Sequence, residues 1–240
     1  MIYPKPISAM LADLYRAIDE RRGWSLVRLG DGESRLLQGA PAPFDHLENY
    51  ITNPVDVVGL RQATVCAVKG ADWVGWHQDH MLCSIMAAYG MTPIENSQYA
   101  WVNLHMGLWR GFVEKVLRQE KLFLAGATMQ RWQDEVLRPA GLGSDAVVWR
   151  GKTSLNATGE AERILDALSE SDCTVALFSL GVWALWMADM AKLLGLIGID
   201  WGHAPDHHLF PTCEEHRERY EGAGPCADPE CQAHWRYRLN

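Results

Sequence analysis

A chain of 240 residues, 48% of them hydrophobic, is long enough to bury one full core, so one domain with a small appendage is expected. Its formal net charge of −8 argues against a nucleic-acid partner, whose phosphates call for clustered Lys and Arg. The opening Met1-Ile2-Tyr3-Pro4-Lys5-Pro6 has no charged segment followed by an apolar run, which speaks against a secretory signal and for a cytoplasmic protein.

Apolar residues at Met10, Leu11, Leu14, Ala17 and Ile18 predict a helix over 7–21. Ser25 to Leu29 reads as a short strand, closed by the turn Gly30-Asp31-Gly32. Residues 40–54 contain Pro and lack periodic apolar positions, so loop is expected there. Thr64 to Val68 is expected as the second strand. A helix over 79–89 follows, with Gly90 as its C-cap. The pattern then predicts a helix over 108–119, a strand over 121–126, a helix over 130–137 and a strand over 146–149. Thr158 to Ser169 is amphipathic, with Ala161, Ile164, Leu165 and Leu168 on one face. Cys173 to Ser179 is a continuous apolar strand of the buried parallel type, followed by a helix over 183–194 and a strand over 196–200. The apolar stretch from Thr174 to Ile199 is long enough to span a bilayer. Asp189 and Lys192 interrupt it and Gly181 divides it, so a buried strand and a buried helix are expected instead. Cys66, Cys83 and Cys173 lie on apolar segments and read as buried free thiols. Alternating strands and helices imply an α/β fold, a mostly parallel sheet with helices on both faces and ligands beyond the carboxyl ends of the strands.

The sharpest chemical feature is Val27-Arg28-Leu29-Gly30-Asp31-Gly32-Glu33. Two carboxylates stand two residues apart directly after a strand, and the flanking glycines remove side-chain bulk so that a ligand can approach. Paired hard oxygens suit Mg²⁺ or Mn²⁺, which keep positions open for substrate phosphates. Arg28 would add a charge-assisted contact to the same phosphate. Gly198-Ile199-Asp200-Trp201-Gly202-His203-Ala204-Pro205-Asp206 again places acids and an imidazole at a strand mouth. Ser179-Leu180-Gly181 leads into a helix whose N–H groups would meet a phosphate or simply pack. His77, Asp79 and His80 form a weaker metal pattern. Asn103 and His105 are further polar positions among apolar neighbours.

These segments, in this order, resemble the GT-D type glycosyltransferases, a Rossmann-like family with an Asp-x-Glu metal motif. The resemblance covers most of residues 7–206. It implies that Asp31 and Glu33 hold Mn²⁺ or Mg²⁺ on the diphosphate of a nucleotide-sugar donor, with UDP as the family's nucleotide. Arg28, Gly30, Gly32, Gly181 and Asp200 are then expected along the donor. Asp206 and His203 are the expected catalytic residues, deprotonating an acceptor hydroxyl. The acceptor is expected to be a glycan or glycosylated molecule, with peripheral membrane contact where it is lipid-linked. The sequence departs from the family at Trp201, where a small aliphatic residue is more usual. The same carboxylates would also serve a metal-dependent phosphohydrolase with water as acceptor. The aromatics would serve a nucleotide-sugar or glycan-binding module without turnover.

Residues 1–206 are thus expected to form the catalytic domain and 207–240 a Cys/His-rich extension. In that extension Cys213-x-x-His216 and Cys231-x-x-His234 are matched pairs, with Cys226 to spare. A segment this polar lacks a core of its own, and four S and N donors suit a structural Zn²⁺.

Overall fold

The computed structural model describes residues 4–39, 54–76, 80–92, 94–99, 102, 106, 110–143, 145–149 and 157–209. The strands are β1 (Trp24–Leu29), β2 (Trp73–Trp76), β3 (Ser97–Tyr99), β4 (Leu122–Gly126), β5 (Val147–Trp149), β6 (Val175–Ser179) and β7 (Ile197–Asp200). They form one sheet in the order β3-β2-β1-β7-β6-β4-β5, and every pairing is parallel. The helices are α1 (Ile7–Asp19), α2 (Asp31–Gln38), α3 (Pro54–Gly70), α4 (His80–Ala88), α5 (Arg110–Phe112), α6 (Met129–Trp132), α7 (Ala157–Glu170), α8 (Ala184–Leu193) and α9 (Ala204–Leu209).

A parallel sheet must be covered on both faces, and successive residues of the central strands supply two cores. Val27, Leu29, Ala176 and Phe178 face one layer with residues of α3, α4, α7 and α8. Trp24, Leu26, Val175, Leu177, Ile197 and Ile199 face the other, with α1, α5 and α6. The segment from Thr174 to Ile199 is therefore β6, a short 3-10 turn (Gly181–Trp183), α8 and the start of β7. No helix among the described residues is long and apolar enough to cross a membrane.

The expected elements of the second half stand close to their predicted bounds, and Gly90 ends α4 at φ +63° as foreseen. Thr64 to Val68 does not form a strand but lies inside α3. The buried positions Leu60, Thr64, Ala67 and Val68 have helical spacing, and the Thr64 hydroxyl donates to the Leu60 carbonyl at 2.9 Å. A local β-branched run has yielded here to a longer amphipathic period. The second strand comes later, at Trp73–Trp76. Cys66 is exposed and Cys83 half-buried, while Cys173 alone of the three is buried as expected; all three are free.

The helices expected over 108–119 and 130–137 each open as an α-turn and widen into π-helix, at Val113–Leu117 and Gln133–Leu137. Phe112 and Trp132, just ahead of each widening, pack on Trp201 with ring centroids 5.4 Å and 6.1 Å away. Trp201 is fully buried among them. Its bulk belongs to the core beneath the sheet end.

Two neighbouring strands send the chain in opposite directions. β1 leads into α2, which packs with α3 and α4, whereas β7 leads into α9, which packs against α6 on the other face. In open α/β sheets, carboxyl ends arranged in this way are where a ligand crevice is expected.

Candidate active site

Asp31 and Glu33, expected in a glycine turn, stand in the first turn of α2, which begins at Asp31. Gly30 is the N-cap, and its N–H donates to Glu33 Oε2 at 2.9 Å. This is half of a capping box, since a glycine has no side chain to return the bond. The two glycines leave room for the protein itself. A Cβ on Gly30 would lie 3.1 Å from Glu33 Oε2, and one on Gly32 would lie 3.1 Å from Val182 Cγ1. Gly32 thereby seats α2 against the Gly181–Trp183 turn, and Gly181 itself is left-handed at φ +56°.

Across the crevice Arg28 reaches from β1 to the end of β7. Its Nε donates to the Asp200 carbonyl and its Nη2 to Asp200 Oδ1, both at 3.1 Å. The pair is buried, with side-chain exposures of 10% and 3%, so it is a desolvated ion pair. The sequence reading gives Arg28 to a phosphate and does not foresee this pair, which arises because β1 and β7 lie side by side in the sheet.

Glu33 is only 8% exposed. Burial pushes its carboxyl up to about 7, and the Asp200 carboxylate nearby adds to the rise; Arg28 and the Gly30 N–H pull only partly back. Burial also raises Asp200, against the pull of Arg28. Arg28 is paired with Asp200 and acts on Glu33 only through its charge. Glu33 offers hard oxygens of the kind Mg²⁺ or Mn²⁺ takes, and Asp31 begins the same helix, so the residue types suit such an ion. Among the described residues no three His, Cys, Asp or Glu side chains cluster as a full ligand set.

The turn after β7 is tied down from β6. Trp201 and Gly202 donate their N–H groups to the Phe178 carbonyl at 2.8 Å and 3.2 Å. The Ser179 hydroxyl donates to the Gly202 carbonyl at 2.5 Å. Gly202 is left-handed at φ +51°. Ser179 and Gly202 were not foreseen in this role; the recurrence of small polar residues at two neighbouring strand ends is the signal that could have found them. His203 follows at the crevice and is exposed. Asp206 falls in the first turn of α9.

Arg28, Asp200 and Gly202 are thus joined by contact, and Gly30 and Glu33 by a hydrogen bond; charge alone couples Glu33 to Arg28 and Asp200, and His203 follows Gly202. The side chains of Asp31, Asp206 and His80, and residues His77, Asp79, Asn103 and His105, lie outside the described structure, as do Cys213, His216, Cys226, Cys231 and His234.

A family model for the GT-D fold-like domain matches residues 6–208. A solved structure described as a new glycosyltransferase, of domain of unknown function 1792, from Streptococcus sanguinis is similar at TM-score 0.56 and 15% identity, covering 92% of this chain and 85% of that one. A second, described as domain of unknown function 1792 with a distinct glycosyltransferase fold, is similar at TM-score 0.51 and 16% identity, covering 85% and 78%. A search of curated protein sequences gave no match. With its switch-point crevice, its Gly-Asp-Gly-Glu helix start and this match over the described domain, the chain belongs to the GT-D-like family and carries a glycosyltransferase fold.

Proposed function

We propose that the protein transfers a sugar from a nucleotide-sugar donor, of the UDP type, to a hydroxyl of a glycan or glycosylated acceptor, with Mn²⁺ or Mg²⁺ held by Asp31 and Glu33. The observation that supports this most is the buried Glu33, raised by burial and by the Asp200 carboxylate, beside the Arg28–Asp200 ion pair at the switch point. A fold that keeps two carboxyls desolvated with incomplete pairing forgoes stability, and such arrangements gather where a ligand completes them. When bound, the ion would supply positive charge to the departing diphosphate. The chain's own residues do the rest. Gly30, Gly32, Gly181 and Asp200 border the donor, and α2 turns its N-terminal N–H groups toward the anion. His203, in the turn after β7, or Asp206, in the first turn of α9, takes the proton of the acceptor hydroxyl. Cytoplasmic residence, and peripheral membrane contact through a lipid-linked acceptor, belong to the same reading.

The test is donor affinity by calorimetry and thermal shift, with and without Mn²⁺, in wild type, Asp31→Asn and Glu33→Gln. Donor and ion together should stabilise only the wild type, because a ligand that binds the folded state raises its melting temperature by mass action. Equal affinity in all three proteins would remove the metal assignment.

For residues beyond the family match, we propose that Cys213, His216, Cys231 and His234 bind one structural Zn²⁺. The matched Cys-x-x-His spacing in a segment without a core supports it. Elemental analysis of untagged protein should find about one zinc per chain, the stoichiometry of a four-ligand site. Stoichiometry unchanged after Cys213→Ser and Cys231→Ser would refute these ligands.

A further inference from the structure

Arg28 is the natural choice for a phosphate ligand by its charge, yet its surroundings give it another task. It is the fifth of six residues in a strand buried along its whole length. Its Nε and Nη2 engage the backbone carbonyl and the carboxylate of one residue, Asp200, both at 3.1 Å. A guanidinium gripping backbone and side chain of the same residue fixes the direction in which the chain leaves β7, not merely its charge. The same group lies against the next turn. A Cβ built on Gly202 would fall 1.7 Å from Arg28 Nη2 and 2.6 Å from its Cζ. Gly202 is therefore required twice, by its φ of +51° and by the guanidinium that occupies its missing side chain's place. From the far side Phe178 and Ser179 hold the same turn by three hydrogen bonds. A guanidinium that swung out to a phosphate would leave Asp200, only 2% exposed, as an unpaired buried carboxylate next to Glu33.

We propose that Arg28 is a positioning residue, which clamps Asp200 and Gly202 so that His203 is presented at the rim of the crevice, and that it takes no donor phosphate. The proposal rests on the reading of the crevice as a donor site. It differs from the family-derived expectation for Arg28 in a way that experiment can separate. If Arg28 acts through the turn, a change at uncharged Gly202 must reproduce a change at Arg28. If it binds phosphate, UDP affinity must fall in Arg28→Lys, and in Gly202→Ala as well, because the added Cβ displaces the same guanidinium.

The experiment compares wild type, Arg28→Lys and Gly202→Ala, with folding checked by thermal melts. UDP affinity in Mn²⁺ is measured by calorimetry, transfer kcat by product formation, and the His203 imidazole resonance by NMR, assigned through His203→Gln. Both variants should bind UDP within about 3-fold of wild type, lose at least about 10-fold in kcat, and shift the His203 resonance, the pattern of a group that acts on turnover rather than ground-state binding. Arg28→Lys, which keeps a charge and one donor, should be the milder of the two. A loss of UDP affinity of about 10-fold or more in Arg28→Lys, with or without the same loss in Gly202→Ala, would overturn the proposal in favour of a phosphate contact. Wild-type kcat in both variants would overturn it as well. Should wild type itself bind no UDP with Mn²⁺ or Mg²⁺, the donor reading fails. The His203 resonance then decides for Arg28 on its own, and an unshifted signal in both variants refutes the clamp.

Discussion

At the amino ends of β1 and β2, Asp13 accepts the indole N–H groups of Trp24 and Trp73 at 2.9 Å and 3.0 Å, and Arg22 bridges it to Asp72. Asp72 also takes the Ser25 N–H and the Lys192 ammonium, each at 3.0 Å. At the carboxyl ends of β1 and β7, Glu33 and Asp200 share one Arg28. The same residue types have opposite titration shifts at the two ends. Burial pushes Asp13 up, but the two indoles and Arg22 outweigh it and its carboxyl ends below the usual range. At the other end burial wins, and both carboxyls are raised. Asp13 is compensated and reads as a fastener between α1 and the sheet, although Asp189, near Asp72, is raised by burial. At the other end burial outweighs the Arg28 guanidinium for both carboxyls, a condition in which a bound ion or substrate has much to contribute.

The largest effects should come from the under-compensated end. His203→Ala and Asp206→Asn should leave donor affinity close to wild type, and at least one should lose about 10² to 10⁴ in transfer rate, the usual cost of losing a general base. Initial rates with saturating donor, together with calorimetry, make the split. Metal and donor affinity lost together in His203→Ala would make it a ligand instead. Wild-type rates in both variants would make the turn purely structural and send the search for the base elsewhere.

Glu33 gives the next effect, and its sign can be worked out. A carboxyl at 4.5 in the unfolded chain and about 7 in the fold holds its proton more tightly when folded. Its contribution to stability is complete below 4.5 and is lost as pH rises through about 7. The gap corresponds to about 3 kcal/mol. Glu33→Gln stays neutral and keeps an acceptor for the Gly30 N–H. It should melt with wild type near pH 4.5 and above it at pH 8, and Mn²⁺ should narrow the difference by stabilising wild type alone. Melting curves that run parallel across that range would remove the claim that Glu33 is desolvated without compensation.

The sequence made the periodic half of the fold readable. Cys173 to Asp200 shows a continuous apolar strand, a helix and a strand because each element is long and buried on both sides. Trp73–Trp76 and Ser97–Tyr99 escaped although they are no shorter than β7 and β5, which the pattern predicts correctly. Thr64 to Val68 misled because β-branched residues favour strands locally while the helix spacing spans a longer window. In the site, Asp31, Glu33, Asp200 and His203 stood out as polar residues at strand ends. The Arg28–Asp200 pair and the Gly202 contact did not, since both are set by β1 and β7 lying side by side, with the paired charges 172 positions apart in the sequence. Local spacing shows which residues carry chemistry. Sheet order decides which of them meet.

The compensated end should give the smallest effect, and the opposite slope. Asp13→Asn keeps a side-chain oxygen for the indoles of Trp24 and Trp73 and loses only the charge facing Arg22. That guanidinium is 39% exposed, so solvent screens the pair and the loss should stay below about 1 kcal/mol at pH 7. Asp13→Ala strands both indole N–H groups and should cost more, about 1 to 3 kcal/mol for each donor left unsatisfied. Because the folded Asp13 carboxyl sits below its ordinary 3.8, its stabilisation is present above 3.8 and disappears as pH falls through the folded value. The gap between wild type and Asp13→Asn should therefore close on acidification, whereas for Glu33→Gln it closes on acidification because wild type regains its proton and gains stability. The absolute curves separate the two cases: acid weakens the Asp13 contribution and strengthens that of Glu33. Denaturant melts from pH 3 to 8 read both, and transfer kcat per folded molecule should be unchanged in Asp13→Asn. A fall in kcat there would mean that the amino end of the sheet is coupled to the crevice, and that the division between a fastened end and a working end is wrong.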